Sequence, residues 1–93
     1  MATFKKADQE ILDFGIDWSD LMTDEGLTIS TSTWSVPAGI VSESDSFSGT
    51  ATTITLSGGT VGEVYKLVNY ITTSGVPTFE RTFFVFIVED KFR

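Results

Sequence analysis

The sequence predicts an all-β protein, an immunoglobulin-like antiparallel β-sandwich of six to seven strands. Three observations carry that expectation. Apolar and polar residues alternate with period two along several segments. Turn residues interrupt those segments at intervals of roughly ten residues. No segment shows the three-to-four periodicity of a long helix.

The first expected strand lies between about Ala7 and Trp18. There Leu12, Phe14, Ile16 and Trp18 alternate with Asp13, Gly15, Asp17 and Ser19, which gives one apolar and one polar face. Residues 20–26 read as a loop or a short helical turn closed by Gly26. A Thr-rich strand follows over 28–36 and is stopped by Pro37, which has no N–H for a ladder bond. Ile29 and Trp34 differ in parity within it, so a β-bulge is expected between them.

Residues 40–44 read as another short strand, and 45–49 as a turn. The strand over 50–57 sets Ile54 and Leu56 against Thr53 and Thr55, and Gly58-Gly59 ends it. The strand over 63–73 puts Tyr65, Leu67, Asn69 and Ile71 on one face. Residues 73–77, Thr-Ser-Gly-Val-Pro, form a turn, and 78–88 is the final strand. Tyr65 stands just after Gly62, where an immunoglobulin-like corner would let its hydroxyl bond to upstream backbone. The expected core is Leu12, Phe14, Ile16, Trp18, Trp34, Ile54, Leu56, Tyr65, Leu67, Phe83, Val85 and Ile87. A single domain over 1–93 is expected, with 1–7 a flexible N-terminal arm.

Composition narrows the function. The chain has 93 residues with neither cysteine nor histidine, so disulfides and thiolate or imidazole metal sites are ruled out. Ser and Thr together number 24, and with eight Phe they favour strands over helices. A formal net charge of −7 repels phosphate backbones and anionic membranes, so neither nucleic acid nor membrane is an expected partner. No apolar run is long enough to span a bilayer. Lys5 and Lys6 are followed at once by Asp8 and Glu10, so the first residues do not read as a secretory signal.

Without histidine there is no Ser–His–Asp triad, and without cysteine no thiol nucleophile. Ser57-Gly58-Gly59-Thr60-Val61-Gly62 lacks the lysine of a phosphate loop. Asp13, Asp17, Asp20, Asp24 and Glu25 form an acidic cluster without the spacing of a calcium loop, and a solvated acidic edge accounts for it. Trp18, Trp34, Tyr65 and Tyr70 have the chemistry of a sugar-stacking platform. Trp18 and Trp34 lie on apolar faces, however, and read as core residues. An enzyme is not expected, and no cofactor.

The final strand departs from the pattern. Phe83, Val85 and Ile87 share one parity, and Phe84, Phe86 and Val88 the other. A sandwich strand meets the core on one face and water on the other, so a strand apolar on both needs a second cover. Either a chain terminus or a partner protein supplies it. Phe84, Phe86 and Val88 are therefore the candidate partner interface, with Tyr70 as an exposed aromatic beside them.

Several blocks carry a family resemblance: Asp13-Phe14-Gly15-Ile16-Asp17-Trp18-Ser19, the run from Ile29 to Ile40, Leu56-Ser57-Gly58-Gly59-Thr60, Asn69-Tyr70-Ile71-Thr72-Thr73 and Glu80-Arg81. In order and spacing, over nearly the whole chain, they resemble the small tail-associated proteins of tailed bacteriophages and prophages, of the fibre–tail adaptor-like or neck and tail accessory kind. The resemblance implies a non-catalytic structural protein of the virion tail, assembled in the bacterial cytoplasm. It would join or decorate tail components, with other tail or neck proteins as partners and a homo-oligomer as a further option. A carbohydrate- or host-surface-binding module and a detached adhesin-type domain are the alternatives. The family pattern alternates apolar and polar residues after the Arg-Thr pair, and here Phe84, Phe86 and Val88 take the polar places.

Overall fold

The computed structural model describes residues 2–22 and 26–89. Seven strands and one helical turn follow in the order β1 (Ala2–Ala7), β2 (Leu12–Asp17), α1 (Ser19–Met22), β3 (Ile29–Ser35), β4 (Ile40–Ser48), β5 (Ala51–Gly58), β6 (Val64–Thr73) and β7 (Thr78–Val88). They form two sheets, β1-β7-β6-β3 and β2-β5-β4. Lettered A to G in chain order, these are A-G-F-C and B-E-D. That grouping is the immunoglobulin arrangement except that the first strand sits beside G instead of B.

Two expectations are corrected here. Residues 2–7 are not an arm but an edge strand, paired in parallel with β7 from Ala2↔Phe83 to Ala7↔Val88, so the four-stranded sheet is mixed. Nothing in Phe4-Lys5-Lys6-Ala7 alternates, because the inward position next to Phe4 is a lysine. The turn expected over 45–49 is also displaced. β4 continues to Ser48, and its residues from Val41 onward are exposed on both faces, so polarity there marks an edge strand and not a loop. The other strands fall where the alternation places them. The β3 register shifts between Ile29 and Thr31, within the stretch where a bulge was expected.

Of the expected core, Phe14, Trp18, Ile54, Leu56, Tyr65, Leu67, Phe83, Val85 and Ile87 are buried, while Leu12, Ile16 and Trp34 pack against it half-buried. The core has two parts. A large cluster around Phe14, Leu56 and Phe83 fills one end, and a smaller one of Trp18, Met22, Ile29 and Ile71 fills the other. Between Leu67 and Ile71 on β6 lies Asn69, fully buried. Its Oδ1 accepts from Thr52 Oγ1 at 2.6 Å and from Trp18 Nε1 at 3.2 Å, and its Nδ2 donates to Thr33 O and Ser32 Oγ. Thr52 belongs to one sheet and Asn69 to the other, so this polar layer ties the sheets together across the core.

The corner before β6 closes as expected of an immunoglobulin-like turn: the Tyr65 hydroxyl accepts the Thr60 N–H at 3.0 Å. The glycines around it make room for that ring. Gly59 has φ +100°, and a Cβ there would lie 2.6 Å from Ile87. Gly39, at φ +101°, would put a Cβ 3.0 Å from the Tyr65 hydroxyl.

Candidate docking surface

The outer face of the four-stranded sheet is built by alternation. Phe83, Val85 and Ile87 of β7 point into the core, so Thr82, Phe84, Phe86 and Val88 point away from it. Phe84 lies opposite Lys66 on β6 and Thr3 on β1, and Phe86 lies opposite Val64 and Lys5. Both rings are half-buried among these neighbours, less exposed than Val64 beside them. No strand or helix among the described residues crosses this face.

Val88 behaves differently from the expectation. At 7 % exposure it is buried within the chain. It stands opposite Ala7 on β1. Tyr70 is exposed at 45 %, on the face opposite Tyr65 as expected, but it is not next to the phenylalanines. It pairs with Thr33 and Glu80, at the far end of the sheet, beside a depression also lined by Thr31, Thr72 and Thr78.

Residues that the alternation left aside extend the patch. Val64 is 56 % exposed opposite Phe86. Val61 borders a depression with Phe86, Val88 and Lys5. The signal for Val64 was present in the sequence, since it has the parity opposite to Tyr65.

Among the described residues no group of carboxylates is arranged to hold a metal ion. The acidic cluster is dispersed into separate tasks. Asp13 accepts from Thr55 Oγ1, Asp17 accepts the Ser19 N–H at the start of α1, and Asp20 pairs with Arg81 at 2.7 Å. The backbone and side-chain bonds from Ser19, with the nearby Arg81 charge, hold the Asp17 carboxyl below its usual value. Asp24 and Glu25 lie outside the described residues. Arg81 also stacks 4.8 Å over Trp18 and donates to the Asp17 carbonyl, so it clasps β7 to the end of β2. Of the aromatic platform, Trp18 and Tyr65 are buried and Trp34 is half-buried with its ring against Phe83, which leaves Tyr70 alone at the surface.

A comparison with curated proteins gives no match. A comparison with protein families matches residues 6–86 to the family described as podophage GP4 fiber-tail adaptor protein gp77. That span runs from the end of β1 almost to the end of β7 and includes both sheets. Matched over residues 6–86, and so over most of its length and both sheets of the sandwich, the chain is a member of the podophage GP4 fiber-tail adaptor protein gp77 family.

Proposed function

We propose that this protein is a non-catalytic adaptor of the virion tail that docks on a neighbouring tail or fibre component through the outer face of its four-stranded sheet. Phe84 and Phe86 would be the centre of the contact, with Val64 and Val61 beside them and Lys5 and Lys66 at its margin. The observation that carries this reading is the pair of half-buried phenylalanines, flanked by the exposed Val64 and Val61, on a strand whose other face is already core. A patch with large apolar side chains and a charged border is the usual anatomy of a docking site. Assembly in the host cytoplasm follows from such a role.

The test is a double substitution, Phe84→Thr with Phe86→Thr. Thr keeps strand propensity on the outer face and removes the rings. Binding to the tail or fibre protein of the same virion, measured by calorimetry, should weaken by about 2–3 kcal/mol, roughly a hundredfold in Kd. The unfolding transition should remain cooperative. Unchanged affinity, or a variant that no longer folds, would remove this face from the proposal. A glycan bound at Tyr70 and lost in Tyr70→Ala would instead support the carbohydrate-binding alternative.

A further inference from the structure

β7 is longer than the strand that covers its edge. β1 pairs with Phe83–Val88, so among the described residues 78–82 of β7 have a ladder partner on one side only, β6. Facing this stretch across the sandwich is β2, which among the described residues pairs with β5 alone and whose second edge is engaged at Asp17 O by Arg81. Between the two edges runs a cavity of about 550 Å³ lined by Phe4, Gly15, Ile16, Asp17, Glu80, Arg81, Thr82 and Phe83. Its apolar part is Phe4, Ile16 and Phe83. Asp17 and Glu80 stand at its two rims, on the outward faces of β2 and β7, and Arg81 is already paired with Asp20 and the Asp17 carbonyl.

We propose that this slot receives an extended segment of a second virion protein, which adds as a strand to residues 78–82 of β7, in line with β1. An exposed edge offers main-chain donors and acceptors, and a pocket beside it reads alternate side chains. The occupant carries an apolar side chain for the Phe4–Ile16–Phe83 floor and, next to it, a Lys or Arg that lies opposite Glu80 across the new ladder. Charge complementarity selects a different protein over a second copy of this one. The chain has a net charge of −7, so two copies repel, whereas a basic strand meets a wall whose own cation is already engaged. The slot lies at the edge of the sheet, not on its face, and so does not depend on Phe84 and Phe86.

The experiment uses the intact protein and overlapping peptides of about ten residues, the length of a long strand, tiled over the fibre and tail proteins of the same virion. Fluorescence anisotropy finds the binders, and amide hydrogen exchange locates them. The expected binders have alternating apolar residues and at least one Lys or Arg, and they protect amides within 78–82 and 12–17. Glu80→Lys with Asp17→Asn should weaken them at least tenfold with an unchanged unfolding midpoint, and Phe84→Thr/Phe86→Thr should leave them unaffected. N-methylation of alternate peptide bonds, which keeps charge and side chains but removes the donors, should abolish binding. Equal affinity of the methylated peptide overturns strand addition, and equal affinity of the slot variant overturns the site. The absence of any binder, or protection of the same amides by self-association alone, overturns the second-protein assignment.

Discussion

Asn69 shows how much a single residue can decide in a sandwich this small. Its side chain is wholly buried and makes four hydrogen bonds, to Trp18, Thr52, Ser32 and Thr33. A buried amide is costly unless paired, and its loss would leave the Thr52 hydroxyl without its acceptor, while Trp18 Nε1 keeps its bond to Thr52 Oγ1 at 3.2 Å. Asn69→Ala should therefore destabilise the protein by about 2–4 kcal/mol, through a cavity together with the unpaired Thr52 hydroxyl. Thr52→Val keeps the volume and leaves Trp18 Nε1 its bond to Asn69, so it should cost about 1–2 kcal/mol. Denaturant unfolding of the two variants checks the order. A cost near zero for Thr52→Val would mean that the layer acts through packing alone. From the sequence, Asn69 could be placed on the inward face by its parity with Leu67 and Ile71, but its partners could not be named. They lie 17 and 51 residues away, and no period connects them.

At the level of elements, the strands that could be read in advance were those with one wet and one dry face. β2, β5, β6 and β7 alternate, and their inward residues are the core. β1 escaped because its second inward position is Lys6, whose side chain is buried with its ammonium donating to Ala7 O at 2.8 Å and Gly58 O at 2.7 Å. That lysine ties an edge strand of one sheet to the end of β5 in the other. Burial lowers its pKa, and the charges of Glu10 and Asp8 partly restore it. Because the folded pKa lies below the unfolded one, the unfolded chain holds more protons in the window between them, so stability rises with pH there. Urea unfolding as the pH rises towards the ordinary lysine value of about 10.4 should show that rise in the native protein, and Lys6→Met should flatten it. An identical slope in both would place the ammonium in solvent.

The whole molecule is an elongated sandwich, with principal extents of 43 × 19 × 16 Å, and its seventh strand takes part in three environments. One face of β7 is core, the other holds Phe84 and Phe86, and the edge over 78–82 borders the open slot. The excess apolar face was legible because six consecutive apolar residues, 83–88, cannot all be inward in a strand. The slot was not, since it depends on the register in which β1 lies beside β7, which no local pattern encodes. An adaptor joins two bodies and needs two contacts, and these surfaces point in perpendicular directions from one strand. From Glu80 to Phe86 is about 20 Å along an extended chain, far enough for independent energetics on a rigid sheet. Each variant should therefore act on one partner only. Phe84→Thr/Phe86→Thr should weaken the face-bound protein and change the affinity of the slot-bound strand by no more than about 0.5 kcal/mol, and the slot variant should do the reverse. In a three-component capture, either variant alone should break the bridge while one partner stays bound. Coupling well above that figure, or loss of both partners from one variant, would mean that a single continuous surface carries both contacts.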